Sequence, residues 1–138
     1  MAALTAAKQV IEKDGVVKKQ AMAVDVIYRG AICMYNTSGF LAPAATGAGN
    51  QFAGIAEETV DNSAGSAGDL TCRVKCEGRY LLEGAGFAQT DVSLPVYASD
   101  DQTVTKTSTN NPLVGNIDEF VSATQVWVKL SINPAVAA

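Results

Sequence analysis

The sequence contains no histidine and only one tryptophan in 138 residues. Without histidine a Cys/His zinc site is excluded, and acid–base catalysis near neutral pH would need a carboxylate or lysine with a strongly shifted pKa. No apolar run approaches the roughly 20 residues of a membrane-spanning helix. These absences argue against a histidine-based active site, a zinc site and a membrane protein, and we predict no cofactor.

Cysteine is also scarce, with Cys33, Cys72 and Cys76 as the three examples. An odd number, in a chain where no signal peptide is recognised, fits free thiols in a reducing compartment. Cys72 and Cys76 are four residues apart on one predicted strand, so their Cα atoms would lie about 13 Å apart, beyond the reach of a disulfide. We therefore predict three small apolar core residues.

Charge is limited and uneven, with 10 basic and 14 acidic residues. Residues 1–29 carry a net charge of +2, which leaves −6 for the remainder. A nucleic-acid surface needs a concentrated basic face, and the five positive charges of this segment are scattered. The pattern predicts no direct nucleic-acid contact, although a basic amino-terminal segment can dock on an acidic partner.

Short apolar runs separated by Gly, Ser, Thr, Asn and Asp predict an all-β domain. In residues 70–77 Leu70, Cys72, Val74 and Cys76 alternate with polar residues, as on a strand with one buried face. Residues 124–132 alternate in the same way and place Trp127 on the polar face. A tryptophan there indicates either a lid over a loop or a contact surface.

Two segments of nine residues resemble each other and suggest a doubled architecture. The first repeat segment is residues 52–60 (FAGIAEETV), and the second is residues 113–121 (LVGNIDEFV). Each has glycine third and glutamate seventh, and each follows a strand that ends in a tyrosine, Tyr35 or Tyr97. A glycine inside a strand predicts a bulge, a bend or a close backbone crossing. The acids that follow Gly54 are expected to keep an outward surface hydrated.

The ends and one loop are expected to be loosely attached. Residues 1–9 are predicted to form a flexible arm, residues 10–132 a single domain and residues 133–138 a tail. Around Asp14 and Gly15 the sequence fits a β-hairpin, but a helix from Leu4 to Lys13 that ends at Gly15 remains open. The Gly/Ser-rich loop at residues 61–68 has no apolar anchor, which predicts mobility.

No catalytic constellation is recognisable, so we predict that the protein is not an enzyme. Paired acids occur at Glu57 and Glu58 and at Asp100 and Asp101. Adjacent residues of a strand point to opposite faces, and paired acids in a turn mostly stay hydrated. The glycine-rich stretches lack the strand-to-helix context and the following Lys-Ser/Thr of a phosphate-binding loop.

The order and spacing of several fragments resemble the small capsid decoration, or cement, proteins of tailed bacteriophages. The resemblance covers nearly the whole chain from about Val10. The fragments are residues 30–35 (GAICMY), 38–41 (SGFL), 52–62 (FAGIAEETVDN), 67–69 (AGD), 73–74 (RV), 77–78 (EG), 80–82 (YLL), 96–97 (VY), 100–101 (DD), 114–115 (VG) and 126–128 (VWV).

This resemblance implies a compact β-barrel or sandwich, β-tulip-like, with two similar strand-turn-strand halves. It implies a homotrimer on the outer surface of the virion, made in the bacterial cytoplasm, whose partner is the major capsid protein. It supplies no catalytic residues and fixes no individual capsid contact. From the amino-terminal segment and the exposed tryptophan we take the following candidate interface residues: Leu4, Lys8, Val10, Ile11, Lys13, Lys18, Lys19 and Trp127.

Two functions of other classes remain open. A carbohydrate- or ligand-binding β module of a phage tail or fibre would use Trp127 and Tyr80 as an aromatic platform. A hydrolytic enzyme is the least favoured interpretation, because no acid–base pair or nucleophile is recognisable.

Overall fold

The structure, a computed structural model, describes residues 5–7 and 16–131. They form twelve strands and one turn of 3₁₀ helix at Gln89–Asp91, with no α-helix among them. The predicted all-β fold class is therefore confirmed. The strands are β1 (Val17–Ala21), β2 (Val26–Ile27), β3 (Ile32–Tyr35), β4 (Leu41–Pro43), β5 (Gln51–Ala56), β6 (Val60–Asp61), β7 (Thr71–Lys75), β8 (Arg79–Glu83), β9 (Pro95–Ala98), β10 (Val104–Thr105), β11 (Leu113–Ser122) and β12 (Gln125–Leu130).

Ten of these strands form two five-stranded antiparallel sheets with the same topology. The first sheet has the order β1-β7-β5-β3-β4, and the second has the order β8-β12-β11-β9-β10. In chain order, β1, β3, β4, β5 and β7 are therefore equivalent to β8, β9, β10, β11 and β12. The predicted doubled architecture is confirmed, and β2 and β6 form a small third sheet.

The two outer strands of each five-stranded sheet are linked at one point. A parallel bridge joins Met22, directly after β1, to Leu41 of β4. A second bridge joins Glu83 of β8 to Thr103, directly before β10. Each sheet is therefore curled, as in a small barrel, and most of its backbone groups are paired within one half of the chain.

The repeat segments supply the equivalent central strands β5 and β11. Next to Gly54 the ladder with β3 skips Ala53, and next to Gly115 the ladder with β9 skips Val114. Each skipped residue makes two residues of one strand oppose one of its neighbour, which is a β-bulge. The bulge predicted at both glycines is confirmed.

The register corrects the proposed equivalence of the two tyrosines. Met34 pairs with Phe52, and Tyr97 pairs with Leu113, the residue equivalent to Phe52. Met34 is therefore the counterpart of Tyr97, and Tyr35 lies one residue further along. A shift of one residue changes the sheet face, so the two tyrosines are not equivalent.

Both glycines are required by a close backbone crossing. A Cβ on Gly54 would lie 2.5 Å from the carbonyl oxygen of Lys75 on β7, and Gly54 also has a φ of +146°. A Cβ on Gly115 would lie closer still to the carbonyl oxygen of Lys129 on β12. Because β7 and β12 are equivalent strands, the same crossing occurs once in each half.

Two clusters of buried side chains form the core. One contains residues of both five-stranded sheets and holds them together: Ile32, Met34, Ala42, Ala44, Phe52, Ile55, Phe87, Val96, Ala98, Val104, Val114, Ile117, Val126, Val128 and Leu130. The other lies on the opposite face of the first sheet, with Ile27 of β2 among its members: Met22, Ile27, Ala31, Cys33, Leu41, Ala53, Ala56, Cys72 and Val74. The first sheet is therefore buried on both faces.

The loop at residues 61–68 is anchored through a buried polar side chain. Asn62 is 2% exposed, and its amide nitrogen lies 3.0 Å from the carbonyl oxygen of Ala23, 3.1 Å from that of Ser66 and 3.5 Å from that of Met22. The backbone N–H of Gly68 donates to the same Met22 carbonyl. The loop has no apolar anchor, as predicted, but a hydrogen-bonded amide that the sequence did not indicate attaches it to the residues after β1.

Candidate interaction surfaces

Three of the eight candidate interface residues lie in the part of the chain that the structure describes. Lys18 and Lys19 are on β1, and Trp127 is on β12. Lys19 pairs with Arg73, whose side chain faces outward, whereas Lys18 pairs with Val74, whose side chain is buried. Lys19 is exposed and shares a sheet face with Lys75 and Ile55, the face that also packs against the second sheet, whereas Lys18 lies on the opposite face. The other five candidates lie outside the described residues: Leu4, Lys8, Val10, Ile11 and Lys13. The turn of the predicted hairpin and most of the alternative helix also lie outside them.

Trp127 lies on the outer face of the second sheet beside another apolar residue. In the ladder it is opposite Leu81 of β8 on one side and Glu119 of β11 on the other. Trp127 is 36% exposed and Leu81 is 41% exposed. Residues directly opposite on neighbouring strands share a face, so the two side chains form an exposed apolar pair. This position favours a contact surface over a lid.

The aromatic platform of Trp127 and Tyr80 is not formed. Tyr80 pairs with Val128, which is fully buried, and its ring packs against the core that joins the sheets. Neighbouring residues of a strand point to opposite faces, so Tyr80 points away from the side of Trp127. The carbohydrate-binding alternative loses the feature on which it was based.

The acids that follow Gly54 form ion pairs with β7. Glu57 lies 3.9 Å from the ammonium of Lys75, and Glu58 lies 3.4 Å from the guanidinium of Arg73. In the second half Asp118, the counterpart of Glu57, pairs with Arg79. The acids were expected only to hydrate the surface, but they also join neighbouring strands. Each exposed pair contributes only about 0–1 kcal/mol.

A groove of about 560 Å³ lies between the two halves. Its lining residues are Arg29, Gly30, Ile55, Ala56, Glu57, Arg73, Lys75, Tyr80, Leu81 and Leu82. Burial, with the nearby Glu57 carboxylate as a smaller cause, raises the pKa of Tyr80, so its hydroxyl remains protonated at neutral pH. Sequence reasoning missed this site because no local pattern connects Arg29 with β7 and β8.

A second depression, of about 350 Å³, lies where two equivalent loops meet. Its lining residues include Asn50 and Asn111. Asn50 directly precedes β5, and Asn111 is separated from β11 only by Pro112. Each asparagine donates its side-chain amide to a carbonyl of its own loop, Asn50 to Ala45 and Asn111 to Thr107. They therefore stabilise the loops that lead into the two repeat segments.

The connection between β8 and β9 is fixed by a partly buried ion pair. Asp91 accepts from the ammonium of Lys106 at 3.0 Å and from the backbone N–H of Ala88 at 2.9 Å. These contacts, with the hydrogen bond from Lys106 as the largest cause, lower the pKa of Asp91. Asp91 and Lys106 therefore hold this connection against the β10 region of the second sheet.

The three cysteines are buried, and no disulfide joins any two of them. Burial raises the pKa of Cys33, and burial followed by the charge of Glu58 raises the pKa of Cys72 to about 11. Both groups therefore remain thiols near neutral pH, and neither is an activated nucleophile. The prediction of unbridged core cysteines is confirmed.

No helix long and apolar enough to cross a membrane occurs in residues 5–7 or 16–131. Over the same residues, no three or more histidine, cysteine, aspartate or glutamate side chains are grouped to hold a metal ion. The surfaces in this part of the chain include one exposed apolar pair, one basic groove and one amide-lined depression. Comparison of the chain with protein-family profiles, with curated proteins and with solved structures finds no match.

Proposed function

We propose that the chain is a structural virion protein, a capsid decoration protein of a tailed bacteriophage. It binds the outside of the head as a homotrimer and stabilises the expanded shell. Its partners are the major capsid protein and further copies of itself, and it makes no direct contact with nucleic acid or membrane. The family is suggested by the order and spacing of the sequence fragments, and the doubled β fold is compatible with it.

The observation that carries the proposal is the exposed pair of Leu81 and Trp127 on an otherwise polar sheet face. Large apolar side chains on neighbouring strands are typical of protein contacts, where tryptophan is among the residues that contribute most. We assign this face to contacts between copies in the trimer. Lys19, which is exposed on β1, belongs in this scheme to the side that meets the shell.

The proposal is tested with the purified full-length chain and expanded heads that lack it. We expect a trimer by sedimentation equilibrium, co-sedimentation with the expanded heads, and rupture of undecorated heads at a lower temperature than decorated ones. Repetition over the shell multiplies weak contacts, so the thermal effect should be large even if one contact is weak. A stable monomer that never sediments with the heads would refute the proposal, and glycan-array binding would favour the carbohydrate-binding alternative.

Replacing Trp127 with alanine should weaken trimer formation. A tryptophan at the centre of a contact contributes about 2 kcal/mol, which corresponds to about a thirtyfold weaker association for each contact. The fold should be retained, because the side chain lies outside both core clusters. Sedimentation equilibrium over a dilution series measures the effect.

Tyr28→Ala provides the matched control, since Tyr28 is 62% exposed and directly follows β2, outside the second sheet. It removes an exposed aromatic ring without touching the pair of Leu81 and Trp127. Equal weakening by both variants, or by neither, would show that the trimer uses a different surface.

A further inference from the structure

The outer strand of the second sheet, β8, has one free edge. It pairs with β12 on one side, and on its other side the described residues provide only the bridge from Glu83 to Thr103. In an antiparallel ladder alternate residues direct their N–H and C=O groups away from the neighbouring strand. Along Arg79 to Leu82 these groups are therefore available to an additional strand.

This edge lies in the groove between the halves and not on an open surface. Three consecutive residues of β8, Tyr80, Leu81 and Leu82, line the groove. Consecutive residues point to opposite faces, so a cavity lined by all three runs along the strand edge. The facing wall comes from the end of β5 and from Arg73 and Lys75 of β7. Three residues of edge span about 10 Å, enough for a short extended segment.

The free polar groups of the groove are hydrogen-bond donors. Arg73 is paired with Glu58, and Lys75 is paired with Glu57. The guanidinium of Arg29 has no hydrogen bond or ion pair with any residue that the structure describes, and the same holds for the hydroxyl of Tyr80. A guanidinium and a phenol together favour a carboxylate, which accepts hydrogen bonds from both.

We infer that an extended, acidic segment of the shell subunit adds to the free edge of β8 and places a carboxylate against Arg29 and Tyr80. The choice of the shell subunit rests on the proposed function, whereas the acidic chemistry rests on the groove itself. Main-chain hydrogen bonds to β8 supply affinity in this mode, and the donors of the wall supply specificity. A basic segment is disfavoured by the three cations of the groove, which outnumber Glu57.

The first experiment uses soluble peptides and the isotope-labelled full-length chain. An eight-residue peptide of alternating glutamate and threonine should shift the amide signals of residues 79–82 and slow their hydrogen exchange. A peptide of alternating lysine and threonine should not bind there. Equal binding of both peptides, shifts confined to other residues, or no binding at millimolar peptide would each overturn the inference.

The groove is tested by Arg29→Gln, with Lys129→Gln as the control. Both substitutions remove one positive charge from an exposed side chain, but Lys129 does not line the groove. Arg29→Gln should weaken the acidic peptide about tenfold, as expected for the loss of one charge-assisted hydrogen bond, and Lys129→Gln should leave it unchanged. Equal effects would assign the binding to net charge and reject the site.

Binding to expanded heads separates this inference from the proposed function. If the wild-type chain and Arg29→Gln bind heads equally well, the groove is not the contact, and the decoration function stands. If the acidic peptide binds in the groove and the wild-type chain never binds heads, the decoration function and the shell partner are rejected. If Arg29→Gln binds heads more weakly than the wild type and Lys129→Gln does not, the result supports both the groove contact and the decoration function.

Discussion

Replacing Gly115 with alanine should destabilise the domain by about 4 kcal/mol or more, one of the largest effects available to a single methyl group. The new Cβ would overlap the carbonyl oxygen of Lys129, which belongs to the backbone of β12 and cannot move away as a side chain can. Relief of the overlap requires separation of β11 from β12, the longest ladder of the second sheet. Urea unfolding at equilibrium measures the change.

The control is Gly39→Ala, because the residue has a φ of +85° but open space around its Cβ position. Gly39→Ala should lower the free energy of unfolding by about 1 kcal/mol, because alanine is less stable than glycine in the left-handed region. Gly54→Ala should resemble Gly115→Ala, since it meets the equivalent carbonyl of Lys75. If Gly115→Ala were no worse than Gly39→Ala, the backbone crossing could not be the reason for the glycine.

Replacing Asn62 with aspartate should cost about 4 kcal/mol at pH 7, more than replacing it with alanine. The amide nitrogen of Asn62 is directed at the carbonyls of Ala23, Ser66 and Met22. Aspartate would put a charged acceptor in place of a donor, whereas alanine only leaves the carbonyls without a partner, at about 2 kcal/mol. Unfolding free energies of both variants, relative to the wild type, give the comparison.

The loss of unfolding free energy caused by Asn62→Asp should become smaller at acidic pH. The loss caused by Asn62→Ala should not change with pH. Burial against carbonyl oxygens raises the pKa of the new carboxyl in the folded state above its value of about 3.9 in the unfolded chain. The penalty is therefore small below pH 3.9 and grows as the pH rises towards the folded-state pKa. Asn116→Asp serves as the control, because Asn116 also donates to a carbonyl, that of Ser93, but is exposed. A penalty independent of pH would contradict the assigned orientation of the Asn62 amide.

The sequence predicts those features that depend on local alternation and on glycine chemistry. In β7 and β12 the predicted inward residues Cys72, Val74, Val126 and Val128 are buried, because a strand with one buried face repeats every two residues. Leu70 is the exception, since it precedes β7 and is exposed. The doubled topology was predictable because both copies need glycine at the same backbone crossing.

Features that depend on distant parts of the chain were not predictable. The tyrosines were aligned one residue out because the segment from Tyr35 to Phe52 is one residue longer than the segment from Tyr97 to Leu113, and no sequence signal marks where the extra residue lies. Asn62 is an anchor only because Met22 and Ala23 lie beside it, 40 and 39 residues earlier in the chain. The groove likewise combines Arg29 with Tyr80, and no local pattern connects them.

Strands pair only within their own half of the domain, so the domain resists mechanical force differently in different directions. No strand of the first sheet pairs with a strand of the second. Between residues 16–75 and 79–131 only two backbone hydrogen bonds cross, from Ile32 to Asp101 and from Gly47 to Asn110. A force that pulls the halves apart therefore acts mainly on side-chain packing, whereas a force along the strands must shear complete ladders. A domain under tension therefore resists a force along its strands and separates first between its two five-stranded sheets.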